Sequence, residues 1–463
     1  MNDWRPKVDS LLASTSPVTG HAGPVTRLAV SHDDRFFVSG SFDSTCRVWQ
    51  LGRIDESNGL LESSATYEEH GKAGNRQYVR VNDITAIEHS HSVASAASDG
   101  SVHVWRVDMV SARGDSSSHS SSTPNQGLSP SGEFSKVSGC SVVRRVNPRE
   151  GEVLAVSHFN TLSQSVVAFA TQRGSVHTWD IRSQKEPFKL QHEPELGYLT
   201  AMSLGQDRNW LLTGTNEGFL ALWDVRFSKM VKLWSINSAQ PINRLATTYA
   251  AFASRGLSAR PFAFVACGSD CAMYDLADGV CRQSFRVLDP HEGYNQSISR
   301  LKLPELHEVS IASRQSRALL RQAKASSLKR RHEMPVTSIN TMLGVMGHEQ
   351  PFLVTGGSDA HLRFWDFSTT TKCYTISGQV PGQPRPAFER VDFHAANRLM
   401  VCRQSAPPRL NELESSRVPR SLHRGMIRAE NRHRDAIQDL KLIQGPVKAL
   451  VSCSRDGSIK LWR

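Results

Sequence analysis

One spacing constrains this chain more than any other feature: a small hydroxyl residue, an Asp four positions later, and a Trp six beyond that. It occurs at Ser39, Asp43 and Trp49, and again at Ser95, Asp99 and Trp105. It returns at Thr355, Asp359 and Trp365, and finally at Ser452, Asp456 and Trp462. In each copy an apolar run leads into a tight turn, as in Asp-Gly or Asp-Ser, and an alternating run returns to the Trp. In Ser458-Ile-Lys-Leu-Trp462 the period of two puts Ile459 and Leu461 on one side and Ser458, Lys460 and Trp462 on the other. Such a unit cannot bury both faces alone, so its repetition implies that copies stack on one another.

Weaker copies fill the gaps. Residues 168–180 keep Gly174, Trp179 and Asp180 but place Arg173 where the Asp belongs. Residues 212–224 carry Thr213, Glu217 and Trp223, preceded by His192, and residues 264–275 end on Tyr274 in place of Trp. Seven aromatic markers result: Trp49, Trp105, Trp179, Trp223, Tyr274, Trp365 and Trp462. The pattern resembles the two middle strands of a WD40 propeller blade, and seven blades close into a ring. The expected fold is therefore all-β, a seven-bladed WD40 β-propeller spanning residues 1–463 as a single domain. In that family a His before the blade joins the hydroxyl, Asp and Trp in one hydrogen-bonded chain. His21, His332 and His433 stand where they can complete such sets, and the expectation for them is structural. The last repeat stops at its third strand, so residues 8–15 are expected to supply the missing outer strand and lock the ring, which removes an exposed edge.

Three stretches interrupt the period. Residues 111–136 are Ser-rich and of low complexity, which predicts a disordered loop open to phosphorylation. Residues 289–331 are basic, with Arg314, Arg317, Arg321, Lys324, Lys329, Arg330 and Arg331 unaccompanied by any acid from 314 to 331. Ser313 to Lys329 has helix-forming composition, but its apolar face is thin, and direct membrane contact is not the expectation. Residues 378–430 form a Pro- and Arg-rich excursion. These insertions hold much of the +11 formal charge, so the charge says little about the folded body, and no nucleic-acid partner is expected. No apolar run is long enough to span a bilayer, and the start of the chain lacks a signal-peptide core. The eight cysteines are scattered without a C-x-x-C pair, which predicts reduced, packed thiols in a cytoplasmic protein rather than disulfides or zinc.

Catalytic signatures are missing. There is no P-loop, G-x-S-x-G, H-E-x-x-H or EF-hand pattern, and the Asp residues are accounted for as turn formers. His89 and His91 are close in sequence but read as an exposed turn, so no metal and no cofactor is expected. One short motif stands apart: Trp179-Asp180-Ile181-Arg182 and Trp223-Asp224-Val225-Arg226 are W-D-x-R segments in adjacent repeats. Paired motifs of this kind resemble those of WD40 substrate receptors of cullin-type ubiquitin ligases, which would make Arg182 and Arg226 partner-binding residues. Trp-Asp followed by Arg is also ordinary for the repeat.

A more specific resemblance runs through residues 158–227. His158-Phe-Asn160 leads into residues 164–171, then Gly174-Ser-Val, Trp179-Asp-Ile-Arg182, Leu190-Gln-His192, residues 211–215, and Trp223-Asp-Val-Arg-Phe227. This is similar to the propeller of the regulatory pseudokinase-scaffold subunit of the class III phosphatidylinositol 3-kinase complex, in the vacuolar protein sorting family. Residues 356–366 and 452–462 match the same propeller, as does Trp4-Arg-Pro-Lys7. The resemblance implies a non-catalytic scaffold whose partners are the lipid kinase's catalytic subunit and the coiled-coil subunits of autophagy and endosomal complexes. It implies a cytoplasmic protein held peripherally on endosomal, autophagosomal or vacuolar membranes through that complex. Members of the family carry a kinase-like domain and helical repeats ahead of the propeller. These residues contain neither, so no phosphotransfer is expected of them.

Overall fold

The computed structural model describes residues 10–13, 20–53, 60–70, 78–111, 133–137, 142–236, 240–250, 260–288, 301–309, 337–346, 350–377, 385–394, 397–403, 432–445 and 448–463. Seven sheets, each with an antiparallel core of strands, stand around one axis as the blades of a β-propeller. Among the described residues the only helical turns are short 3-10 segments such as Leu51–Arg53 and Pro148–Glu150. The inner strands, one per blade, are Val25–Val30, Val81–Ala86, Val153–Asn160, Leu199–Leu204, Ile242–Ala250, Ile339–Val345 and Ile437–Ile443. Each of the seven marker aromatics falls on the third strand of a different blade, from Cys46–Gln50 in blade 1 to Ile459–Trp462 in blade 7.

Closure follows the expected route. Ser10–Ala13 pairs antiparallel with the third strand of blade 7, Ser10 opposite Trp462 and Leu12 opposite Lys460, so the first described strand completes the last blade. A short parallel pairing with Leu60–Leu61 lies outside it. The ring is thus fastened by backbone hydrogen bonds between the two ends of the chain.

The alternation in the third strands is present, but it does not separate core from solvent. Ile459 and Leu461 pack with Val25 and Leu28 of blade 1, and Trp462 packs with Phe352 and Leu362 of blade 6. Every blade is covered on both faces by a neighbour. That is why Lys460, on the same side as Trp462, is buried as well, its ammonium donating to the Arg432 carbonyl at 2.6 Å.

The blades meet along a repeated seam. The first residue of each inner strand is apolar (Val25, Val81, Val153, Leu199, Ile242, Ile339, Ile437), and it rests against a small residue on the second strand of the preceding blade. At Gly40 an added Cβ would meet Val81 Cγ1 at 2.7 Å; at Gly214 it would meet Ile242 Cγ2 at 2.6 Å, and at Gly356 Ile437 Cγ2 at 2.7 Å. Ala96, Ala170, Ala266 and Cys453 hold the same position against Val153, Leu199, Ile339 and Val25. Directly after the seam residue every inner strand carries a β-bulge, at Val25/Arg27, Val81/Asp83, Val153/Ala155, Leu199/Ala201, Ile242/Arg244, Ile339/Thr341 and Ile437/Asp439. The bulge bends the strand and frees one side chain to point sideways.

That side chain stitches the ring. Thr26 Oγ1 donates to the Val81 carbonyl at 2.8 Å, Asn82 Nδ2 to Val153 at 2.9 Å, and Thr200 Oγ1 to Ile242 at 2.6 Å. Asn243 Nδ2 donates to Ile339 at 2.8 Å and Asn340 Nδ2 to Ile437 at 3.2 Å.

The insertions leave from outer edges. Glu133–Val137 returns antiparallel on the long third strand of blade 2, with Glu133 opposite Ser111; residues 112–132 of the Ser-rich stretch lie outside the described residues. Leu306–Glu308, from the second stretch, adds an edge to blade 4. The proposed basic helix, Ser313 to Lys329, lies outside the described residues. The third stretch is in part built into the ring: Arg398–Arg403 pairs parallel with the outer strand Val280–Leu288 of blade 5, and Ala387–Asp392 closes a hairpin on it. Leu399, Met400, Val401 and Cys402 are buried there. The Pro and Arg content of 378–430 hid this strand, which is short and apolar inside a polar surround.

Candidate interaction surfaces of the ring

The strand order gives the ring two unlike faces. One carries the linkers into each inner strand and the turns between second and third strands. The other carries the first-to-second and third-to-fourth turns.

The hydroxyl–Asp–Trp sets lie toward the linker face. In blade 1 Trp49 Nε1 donates to Ser39 Oγ at 2.8 Å, and that hydroxyl stands 2.7 Å from His21 Nε2. His21 Nδ1 lies 2.9 Å from Asp43 Oδ2. Burial raises the Asp43 carboxyl, but hydrogen bonds from His21, Thr45 and the Ala22 amide outweigh it and hold the group well below the usual carboxylate range. Blade 7 repeats the set: Trp462 Nε1 to Ser452 Oγ at 2.8 Å, Ser452 Oγ to His433 Nε2 at 2.7 Å, and His433 Nδ1 3.8 Å from Asp456 Oδ2. In blade 6 Trp365 donates to Thr355 at 2.8 Å, Asp359 is ion-paired with Arg363, and His332 lies outside the described residues.

Blade 2 holds a residue that the spacing argument missed. Ser95 Oγ accepts from Trp105 Nε1 at 3.1 Å and lies 2.7 Å from His70 Nε2, so His70 is the blade's histidine, while Asp99 turns instead to Ser101. His70 stands 25 residues before its Ser, against 18 in blade 1 and 19 in blade 7, so a fixed spacing does not find it. In blade 4 Trp223 Nε1 donates to Thr213 at 3.0 Å, and the buried His192 ring packs 5.8 Å from the indole. In blade 3 the position ten before Trp179 is Phe169, without a hydroxyl, and the indole turns to Gln184 Oε1 at 3.2 Å. The indoles, their hydroxyl partners and the histidines are buried, while Asp43, Asp99 and Asp359 are half-buried and Asp456 and Gln184 reach the surface.

The two W-D-x-R segments lie on the opposite face, in the third-to-fourth turns of blades 3 and 4. Asp180 accepts from the Arg182 amide at 3.1 Å and Asp224 from the Arg226 amide at 2.9 Å, so both aspartates form Asx turns. The Arg226 guanidinium folds back on Asp224 at 2.8 Å and lies over the Phe227 ring, 5.5 Å from its centre. Arg182 extends into solvent. On this face Leu162 and Phe227 are exposed; on the linker face Phe42, Tyr78 and Tyr198 are, with the Arg80 guanidinium 5.3 Å from the centre of the Phe42 ring.

Among the described residues no group of three or more His, Cys, Asp or Glu could hold a metal ion. His89 and His91 diverge: His91 pairs with Asp33 at 2.7 Å, and His89 packs on His32 with ring centres 4.4 Å apart. The seven described cysteines are free and buried. Among the described residues no helix is long and apolar enough to cross a membrane.

Seven four-stranded units, their Trp markers and the strand that closes the ring together define a WD40-type β-propeller. The family described as WD domain, G-beta repeat, matches residues 12–50, which hold the first three strands of blade 1, and 429–463, which hold those of blade 7. Along nearly its whole length the chain is similar to proteins named VPS15, and its seven-bladed ring is consistent with their WD40 domain. The serine/threonine-protein kinase VPS15 of Arabidopsis thaliana is 27% identical over 450 residues, 96% of this chain and 28% of that protein. A VPS15 of Dictyostelium discoideum is 34% identical over 217 residues, 47% of this chain and 10% of that protein. A VPS15 of Komagataella pastoris is 24% identical over 459 residues, 97% of this chain and 30% of that protein. The chain thus spans less than a third of the length of these relatives, and among the described residues there is no kinase domain. The fold and these similarities together support a protein-interaction role of the kind a propeller serves.

Proposed function

We propose that this propeller is a non-catalytic scaffold that helps hold together a class III phosphatidylinositol 3-kinase assembly acting in autophagy and endosomal or vacuolar sorting. The observation that carries this reading is the similarity to VPS15 proteins over 96% of the chain. The ring supports it physically. Its seams are stitched and its ends fastened, so the loops of both faces are held at fixed spacing, and a rigid platform pays little ordering entropy when a helix or extended segment docks. The partners are the catalytic lipid kinase and its coiled-coil subunits, and membrane association comes through them.

Affinity purification of the tagged chain from cells of its source, followed by mass spectrometry, tests the proposal. Recovery of the lipid kinase with coiled-coil subunits supports it; their absence from a purification that recovers the intact chain contradicts it. A second reading has its own observation, since Arg182 and Arg226 present from neighbouring blades on one face. On that reading the chain is a substrate receptor of a cullin-type ligase, and changing both arginines to alanine abolishes recovery of the adaptor. The ion pair of Arg226 with its own Asp224 weighs against it, because a docked adaptor must compete with that contact.

A further inference from the structure

The inner strands place two rings of side chains around the propeller axis. The positions just after the bulge are Arg27, Asp83, Ala155, Ala201, Arg244, Thr341 and Asp439. Two residues on are Ala29, Thr85, Ser157, Ser203, Ala246, Leu343 and Lys441, small or neutral except for the lysine. A cavity of about 430 Å³ opens among them, lined by Lys441, Arg244, Ser157 and Asp83, with Arg208 and Glu88 toward the first-to-second turns.

The charges here do not cancel. Three axial cations (Arg27, Arg244, Lys441) face two carboxylates, and both carboxylates are fully engaged. Asp83 accepts from the Ile84 amide at 3.0 Å and the Val156 amide at 2.8 Å, with Arg27 Nε at 3.3 Å. Asp439 accepts from the Leu28 amide at 3.1 Å, Thr341 Oγ1 at 3.3 Å and Arg244 at 3.0 Å. At the mouth Glu88 is likewise held by Arg208 at 3.1 Å and the Asn160 amide at 3.1 Å. Lys441 has no hydrogen bond or ion pair among the described residues, and Arg244 spends a single contact on Asp439. Burial pushes the Lys441 ammonium down from its ordinary range, with Arg244 and Arg27 adding to the effect against Asp439. A partly buried cation without a partner is costly, and a third charge from outside relieves the cost.

We infer that the axial cavity binds a small oxyanion of the phosphate class, seated between the Lys441 ammonium and the free N–H groups of Arg244, with the Ser157 hydroxyl as a further donor. The cavity admits inorganic phosphate, pyrophosphate or the phosphate end of a small ester, and its donors are cationic as such ligands require. The cavity is lined by inner-strand residues and opens at the first-to-second turns, where Glu88 and Arg208 stand.

The test is calorimetric titration of the full chain with sodium phosphate, sodium pyrophosphate and glycerol 3-phosphate at constant ionic strength. The expected result is saturable binding with one site per chain. Tighter binding of the inorganic anions assigns a free phosphate, and tighter binding of glycerol 3-phosphate assigns a phosphomonoester. Lys441→Met, of similar length and without charge, is expected to weaken binding at least about tenfold, the loss of one charge-assisted hydrogen bond. It is also expected to raise Tm in anion-free buffer by removing an unpaired buried charge, so a loss of binding cannot be laid to misfolding. Lys229→Met, on the exposed outer strand of blade 4, is the control and should bind as the parent does. Absence of saturable binding, or equal loss in both variants, overturns the inference.

Discussion

The side-chain amide of Asn243, freed by the bulge in blade 5, donates to the carbonyl of Ile339 in blade 6 at 2.8 Å. The same contact recurs from Thr26, Asn82, Thr200 and Asn340, so five of the seven seams are crossed by a donor from the bulge. Asn243→Leu keeps the volume and removes the donor, leaving a carbonyl short of a partner. It should cost about 1–3 kcal/mol in chemical denaturation. A change within about 0.5 kcal/mol, the range of ordinary surface substitutions, would show that water replaces the stitch.

The strand Ser10–Ala13 supplies the outer edge of blade 7. Deletion of residues 1–19 opens the ring at its single chain-end junction and exposes the edge of Ile459–Trp462. Tm should fall sharply, and the truncated chain should self-associate through that edge. An unchanged melting curve would mean that the pairing does not secure the ring.

Ser452 serves two buried neighbours at once, accepting from Trp462 and meeting His433 Nε2. Ser452→Ala strands both. Each buried polar group left alone costs about 1–3 kcal/mol, so a loss of roughly 2–6 kcal/mol is expected by urea unfolding. A loss below about 1 kcal/mol would show that the chain of hydrogen bonds contributes little.

Burial holds the imidazoles of His103, His158 and His192 down at about 4. In the unfolded chain they titrate near the ordinary 6.5. Between these values the unfolded state takes up protons that the folded state refuses, so stability falls as pH drops through that window and is flat above it on this account. Each such group removes up to about 3 kcal/mol across the window. Tm measured from about pH 7.5 to about pH 4.5 should decline, and His192→Leu should make the decline shallower. A variant with the parent's slope would assign the acid sensitivity elsewhere.

The number of blades, the marker aromatics and the closing strand were legible because they depend on local pattern: a turn, an alternating strand and a count. The stitch was equally present as Val25-Thr26-Arg27, Val81-Asn82-Asp83, Ile242-Asn243-Arg244 and Ile339-Asn340-Thr341, an apolar residue followed by a short polar one. It carries no meaning until the next blade's carbonyl is in place beside it, and that contact spans 42 to 97 residues. Arg398–Arg403 went unread for a related reason: its parallel pairing joins it to Val280–Leu288, a strand far away in the sequence. The axial charges were invisible because Arg27, Asp83, Arg244 and Asp439 meet only once the ring has closed.

The central claim is that this ring holds a lipid kinase assembly together, and reconstitution from purified parts tests it most directly. The chain would be mixed with the catalytic and coiled-coil subunits of the class III phosphatidylinositol 3-kinase and followed by size-exclusion chromatography with light scattering. The account expects one peak with the mass of the combined subunits, and separate peaks for the propeller and its proposed partners would contradict it.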